Sequence, residues 1–351
     1  MKLMRFHLFR YKKYNFGMRG ILLVALVLLI LAIVLVSYLC MAPVQQSGTR
    51  QYLYIDNDDN LDSLYHKTEQ MAGDVPIMLY VLTEYSSFTL KSGKYVVDPN
   101  TNALELYRRL RNGQQIPVKV LVPSVWTVEK MAGRVSKQLM MDSVELMDCL
   151  ADSATLAELG CTIEELPAYF IPNTYEVWWN CSPLDFVRRM KREYGKFWSE
   201  KRLAKAEAQG LSPVEVSTLA SIVCRETNNA FEMPVIARLY CNRMKKGMLL
   251  QACPTVIFAR KDFSITRLTQ PTEPDSPYNT YLYPGLPPGP IYIAPIQAID
   301  AVLNMPTHNY IYMCAKEDFS GVHRFASTYA EHQRNAAKYQ RAYKKRFPVK
   351  K

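Results

Sequence analysis

The sequence predicts an α+β protein in three parts: a single-pass transmembrane helix, a small α+β module and a larger α+β domain. Three observations predict it. Residues 21–42, ILLVALVLLILAIVLVSYLCMA, run for 22 positions without a charge, which at about 1.5 Å per residue crosses a bilayer core. Between 51 and 140, short β-branched or aromatic runs alternate with helix-forming segments, the pattern of a small α+β unit. From 141 onward helical spacing dominates, broken by one aromatic stretch and one long Pro/Tyr/Gly segment. The divisions are a basic N-terminus at 1–19, an anchor at 20–42, a linker at 43–50, the module at 51–140 and the large domain at 141–351.

The formal charge of +11 is concentrated at the ends: residues 1–19 carry six basic side chains and no acid, residues 334–351 carry eight and no acid, and the rest is net −3. No nucleic acid partner is expected, because the body offers no broad phosphate-binding surface. The basic flank before the span puts the N-terminus in the cytoplasm by the positive-inside rule, with the bulk of the chain exported. The C-terminal basic cluster suits a solvated last helix, an anionic polymer or a membrane surface.

In the module, QYLYI (51–55) reads as a strand, 61–71 and 75–83 as helices, GKYVV (93–97) as a strand, 100–112 as an Asn-capped helix ending near Gly113, VKVLV (118–122) as a strand and 127–139 as a helix. The order strand, helix, helix, strand suggests a LysM-like glycan-binding unit. Further on, 142–160 and 162–166 read as helical. AYFIPNTYEVWW (168–179) breaks the pattern; its aromatic faces suit either a saccharide cleft or a core with strand propensity. Residues 183–209 read as one long charged helix.

The segment SPVEVSTLASIVCRE (212–226) carries the candidate acid. Ser212 at the N-cap, Pro213 at the first helical position and Glu215 three after the cap form a capping box. Leu219, Ile222 and Val223 form an apolar stripe, and Glu226 falls on the same side. Two readings are open. A carboxyl on the core-facing side loses hydration, stays protonated near neutral pH and serves as a general acid. Alternatively, a helix-end glutamate turns to solvent or pairs with Arg225 or Arg243.

Residues 234–246 read as a helix whose Val235, Ile236, Leu239 and Tyr240 belong to the core, and a further helix restarts at Pro254. The segment 272–291, ending YNTYLYPGLPPGPI, is a long loop of the kind that is usually functional. Its prolines lower the entropy cost of ordering, and its tyrosines and Asn279 suit sugar hydroxyls; a rigid connector is the alternative. Helix 295–303, paired strands 310–315 and 323–326, and a closing helix 329–346 complete the chain. The eight cysteines show no CxxC spacing, and the histidines no ligand spacing, so a metal site is not expected. Buried reduced thiols are the simpler expectation for the cysteines.

Taken together, LASIVCRET, PVIARLYCNRMKKGMLLQ, PTVIFA, YNTYLYPGLPPGPI, APIQAIDAVLNM and HRFASTYAEHQ stand in a fixed order over 219–333. This wording resembles the YceG-like endolytic murein transglycosylase family, with a weaker likeness upstream at 169–175 and 51–140. The resemblance implies an inner-membrane enzyme with its catalytic portion periplasmic, acting on peptidoglycan glycan strands and in contact with cell-wall synthases. It implies cleavage between N-acetylmuramic acid and N-acetylglucosamine with a 1,6-anhydro end, without metal or cofactor. Glu226 would be acid and then base, and the cut would set strand length. Where family members read Glu-Lys-Glu-Thr, this chain has Cys224 in place of the first glutamate. Gln251, Thr255, Tyr278, Asn279, Tyr281, Tyr175 and Asn173 are then expected to bind substrate, with residues 286–290 shaping the rim of a groove beside Glu226. Pro167, Asn173 and Cys253 depart from the family's Glu, Asp and Asp.

Two rivals come from other classes. One is a non-catalytic anchored glycan-binding or scaffold protein in which the departures mark lost activity. The other is a cysteine enzyme using Cys224 or Cys253 with His323, which needs a thiol of depressed pKa.

Overall fold

The computed structural model describes residues 17–45, 47–73, 75–265 and 270–347. Most of the N-terminal basic flank and the last two lysines of the C-terminal cluster lie outside the described residues. The chain divides into two units, Met1–Ile116 and Pro117–Lys351.

The first unit contains helix α1 (Met18–Met41), strand β1 (Gln51–Ile55), helices α2 (Leu61–Ala72) and α3 (Ile77–Glu84), strand β2 (Gly93–Val97) and helix α4 (Ala103–Asn112). Helix α1 has 24 residues with none buried, and an 18-residue stretch of mean hydropathy 3.3 makes it long and apolar enough to cross a membrane. Strands β1 and β2 pair antiparallel from Gln51↔Val97 to Ile55↔Gly93. Asn60 and Asn102 cap α2 and α4 through their side-chain oxygens, and glycines 73 and 113 end those helices at positive φ. Leu53, Ile55, Leu64, Leu79, Tyr95 and Leu106 form its core.

The second unit runs β3 (Val118–Val122), α5 (Val128–Val135), α6 (Ser143–Ala151), α7 (Ser153–Leu159), β4 (Asn173–Val177), α8 (Pro183–Phe197), α9 (Glu200–Gln209), α10 (Pro213–Glu226), α11 (Met233–Lys245), α12 (Cys253–Arg260), α13 (Ile296–Leu303), β5 (Tyr312–Ala315), β6 (His323–Ala326) and α14 (Tyr329–Arg346). The boundary therefore falls at 116/117 instead of 140/141. The reason is pairing: β3 joins β4 antiparallel, Val118↔Val177 to Val122↔Asn173, across about fifty residues of sequence. No local spacing predicts a partner so distant.

Three further segments differ from expectation; the first, expected as a helix at 162–166, is a turn leading into one short 3-10 turn at Leu166–Tyr169. The single helix at 183–209 is two, because Trp198 leaves helical geometry at the end of α8 and Ser199 starts α9 as its N-cap. The helix at 142–160 also splits, because Asp152 is extended and caps α7 with its side chain.

Helix α10 is the central element of the second unit. Its capping box is present, with Glu215 N–H on Ser212 Oγ and Ser212 N–H on Glu215 Oε2. Every residue from 216 to 224 is buried, so the helix is covered on all sides instead of along one stripe. Its hydroxyls are satisfied internally: Ser217 on Pro213 O, Thr218 on Val214 O and Ser221 on Thr218 O. Ser221 Oγ also accepts the N–H of Ile291 at 3.0 Å, tying the end of the proline-rich loop to the helix. Leu219 and Ile222 are fully buried among side chains of α11 and α13, where truncation to alanine costs about 2–5 kcal/mol.

Candidate active site

Helix α10 stops immediately after Glu226, where Thr227 turns extended with φ −144 and ψ 145. That places the Glu226 carboxyl at the open end of a helix whose residues 216–224 are buried, with Arg225 exposed between them and the acid. Glu226 itself is half-buried, and Oε1 accepts a hydrogen bond of 3.0 Å from the hydroxyl of Tyr240 on α11. Burial raises its pKa above the ordinary carboxyl value, partly offset by the Tyr240 hydrogen bond and by the charge of His323.

Neither arginine suggested as a partner pairs with it. The Arg225 guanidinium lies 4.3 Å from the ring centre of Trp126 and 5.2 Å from that of Tyr292. Arg243 spends its donors on Leu249 O, Ile311 O and Gln251 Oε1. Among the described residues no lysine or arginine forms an ion pair with Glu226. A desolvated carboxyl without a lysine or arginine partner favours the proton-bearing form, which is the form a general acid needs.

Of the residues expected to bind substrate, Tyr281 comes within the field of Glu226 at this end of the helix. Tyr281 Oη lies 3.2 Å from Cys253 Sγ, and the field of Glu226 acts on both groups. Gln251, at φ +52, is held by Arg243 and by its own N–H on Thr280 O. The others are placed differently. Thr255 and Asn279 are fully buried. Thr255 bonds Ala252 O and Thr280 Oγ1, while Asn279 donates to Pro271 O and Pro274 O and accepts from Tyr281 N–H. They pin the loop from inside and offer no free polar atom to a cleft, since a tight turn within a loop needs its own donors satisfied.

Tyr175 is buried in the β3–β4 core with its hydroxyl on Ile171 O at 2.6 Å, again a structural bond. Asn173 is exposed at the start of β4 and accepts the N–H of Thr174. Tyr278 packs on Phe258 and, with Trp126, Phe263, Pro167 and Pro290, lines a cavity of about 430 Å³.

The loop expected to wall one groove therefore serves three places. Tyr281 stays by Glu226, Pro290 faces the 430 Å³ cavity, and Leu286, Pro287 and Pro288 line a cavity of about 820 Å³ beside Ser212 and Lys245, at the opposite end of α10. Glu226 is on the wall of neither cavity. The close packing of this loop is visible at Gly289, where an added Cβ would sit 1.9 Å from Glu164 O.

The cysteine chemistry finds no support in the geometry. All eight cysteines are free. Burial pushes the Cys224 thiol up to about 12 and raises Cys253 as well, the opposite of an activated nucleophile. The ring Nδ1 of His323 meets Glu232 Oε2 at 3.1 Å, and neither cysteine is its partner.

Sequence reasoning placed Tyr240 in the core and did not single out Glu232. The signal for Tyr240 was present: a tyrosine on an apolar helix face must find a partner for its hydroxyl, and Glu226 was the nearby unsatisfied carboxyl.

The YceG-like family profile matches residues 53–338. The chain belongs to the YceG-like family. A Bacillus subtilis (strain 168) protein named endolytic murein transglycosylase is 31% identical over 174 residues, 50% of this chain and 48% of that protein. A protein of the same name from Streptococcus pneumoniae serotype 2 (strain D39 / NCTC 7466) is 25% identical over 289 residues, 73% of this chain and 52% of its own length. The chain thus spans about half the length of the curated relatives it matches. The crystal structure of a yceG-like protein from Listeria monocytogenes superposes with a TM-score of 0.56 at 23% identity, covering 82% of this chain and 99% of that one. The YceG-like fold is shared with it.

Proposed function

We propose that this YceG-like protein is a membrane-anchored endolytic peptidoglycan lytic transglycosylase with Glu226 as its single acid–base group. The observation that carries the reading is a half-buried carboxyl, raised in pKa by burial, held by the neutral Tyr240 hydroxyl and, among the described residues, without a lysine or arginine partner. The names of its relatives from Bacillus subtilis and Streptococcus pneumoniae support the substrate class.

The chemistry needs one proton carrier. Protonated Glu226 donates to the oxygen between N-acetylmuramic acid and N-acetylglucosamine as the bond from that oxygen to C1 breaks. The carboxylate then takes the proton of the muramic C6 hydroxyl, whose oxygen closes on C1 to give the 1,6-anhydro end. The proton returns to Glu226 and no water is consumed. Hydrolysis by two carboxylates needs a second acid placed across the bond; an intramolecular nucleophile replaces it with the advantage of proximity.

Helix α1 serves as the anchor, with the N-terminus cytoplasmic and residues from 43 onward outside the inner membrane. The LysM-like strand–helix–helix–strand order of the first unit supports glycan contact, Gln251 and Tyr281 contact sugar beside Glu226, and cell-wall synthases supply the nascent strands. Mass spectrometry of purified peptidoglycan treated with the protein tests this. Internal cuts with anhydro ends are expected, and their absence together with retained glycan binding favours a scaffold.

A further inference from the structure

We propose that the exposed apolar face of helix α3 rests in the surface of the same lipid bilayer that α1 crosses, so that the first unit is held to the membrane at two points. The proposal goes beyond the function proposed above and rests on one part of it, the reading of α1 as the anchor.

Helix α3 reads IMLYVLTE and is followed by Tyr85. One side of it enters the core of the first unit through Met78 and Leu79, with Thr83 buried beside them. The other side carries Ile77, Tyr80, Val81 and Tyr85, which share one face at helical spacing and are 65%, 46%, 39% and 83% exposed. A helix on the surface of a soluble unit turns a polar side outward, whereas α3 is apolar on both sides. Glu84 is the one charged residue in this stretch, and its Oε1 accepts the Tyr65 hydroxyl at 3.0 Å. Soluble proteins rarely leave an apolar patch of this kind in water.

What covers the face follows from its neighbour. Helices α3 and α4 both contact α1, and Leu39 and Cys40 in the last turn of α1 pack on the core that holds Met78 and Leu79. The chain after α1 has no slack. Pro43 forms a β-bridge with Asn102, Val44 N–H donates to Thr101 O at 2.8 Å, and Gln45 Nε2 donates to Val97 O at 2.9 Å. A free linker over 43–50 would let the unit stand about 26 Å off the membrane at full extension. Instead the core of the unit begins at Leu39, before the helix has ended.

The charge-free run of 22 residues ends at Ala42, and at about 1.5 Å per residue it covers little more than the hydrocarbon thickness. The end of α1 therefore lies at headgroup level and carries α3 with it. Tyr38, 70% exposed in that last turn, and Tyr80 and Tyr85 are of the residue type that gathers where acyl chains meet headgroups. A bilayer is in place at that level whenever α1 is inserted, so lipid and not a second protein is the occupant.

The test uses the full-length chain in phosphatidylcholine vesicles, with tryptophan placed by Tyr80→Trp, Tyr85→Trp or, on α1, Leu29→Trp. The two tyrosine replacements exchange one interfacial aromatic for another at exposed positions, so fold and lipid affinity are little altered. The four native tryptophans all lie in the second unit, and their signal is subtracted using the parent chain. Lipids brominated near the glycerol ends or near the methyl ends of their acyl chains quench tryptophan by contact. Tyr80→Trp and Tyr85→Trp are expected to lose most of their added emission to the shallow bromines and little to the deep ones, while Leu29→Trp loses it to the deep ones. Quenching of Leu29→Trp with both α3 probes untouched overturns the proposal and leaves the anchor standing. Emission from α3 that is blue-shifted yet insensitive to bromine shows a protein covering the face, which also overturns it. An unquenched Leu29→Trp in vesicle-bound protein sinks the anchor reading and the proposal with it.

Discussion

The Tyr240 hydroxyl donates to Oε1 of Glu226 across 3.0 Å, linking the last residue of α10 to the middle of α11. This bond occupies one carboxyl oxygen and leaves Oε2 as the oxygen available to carry the acid proton.

Glu226→Gln keeps the shape and a hydrogen-bond acceptor for Tyr240 but has no proton to give. Formation of anhydro-muropeptides is expected to fall by about 10²–10⁴-fold. Stability moves the other way. The folded protein holds the Glu226 proton more tightly than the unfolded chain does, so stability falls as pH rises from the ordinary carboxyl value of 4.5 through the folded value. The glutamine variant lacks that loss, and urea titrations at acidic and alkaline pH should show it gaining on the wild type as pH increases.

Tyr240→Phe preserves the packing of a buried ring and removes the donor. A loss of about 0.5–1.5 kcal/mol in urea unfolding is expected from one hydrogen bond. Because that bond favours the carboxylate, its removal should also carry the alkaline limb of activity to higher pH.

Asn279→Ala should act on the loop and not on the chemistry. Its amide bonds to Pro271 O and Pro274 O are both inside the protein, and losing two such bonds costs about 2 kcal/mol. Limited proteolysis should find the loop at 272–291 opened, while glycan cleavage by the remaining folded protein is retained.

Gly289→Ala puts a methyl 1.9 Å from a backbone oxygen, Glu164 O, which is not the flexible end of a side chain. Overpacking of this kind costs about 3 kcal/mol. Thermal unfolding that left Gly289→Ala level with the wild type would show that the loop can shift freely, and the tight contact would then be of no consequence.

Cys253→Ser tests whether the thiol reacts or merely lines the site. With the thiol pKa raised and Tyr281 as its neighbour at 3.2 Å, anhydro-end formation should persist in the serine variant. The wild type should lose activity slowly to a bulky alkylating reagent, since Cys253 is an exposed residue in contact with Tyr281 and within the field of Glu226, and the variant should not.

Much of the local structure was legible because local rules govern it. The capping box at Ser212 and Glu215, the asparagine caps at 60 and 102, the β1 strand and the closing helix α14 all follow from side chains within a few residues of one another. The break at Ser199 was missed because the charged pattern of 183–209 continues through it and only the packing of Trp198, 5% exposed, ends α8 there. The loop residues show the same limit more sharply. Asn279 and Tyr281 are two positions apart and both carry hydrogen-bonding side chains, yet one is sealed inside a turn and the other meets Cys253.

The order of residues alone determined the apolar helix, the single candidate carboxyl at the end of a capped helix and the likeness to the YceG-like family, because hydropathy, capping and wording are local properties. Only the tertiary structure decided that residues 216–224 of α10 are enclosed on every side, that β3 pairs with β4 and moves the unit boundary to 116/117, and that the Tyr240 hydroxyl meets Glu226 while Tyr281 meets Cys253. These meetings join residues distant in sequence, and burial, hydrogen bonding and the field at a carboxyl depend on what lies across space and not on what comes next along the chain.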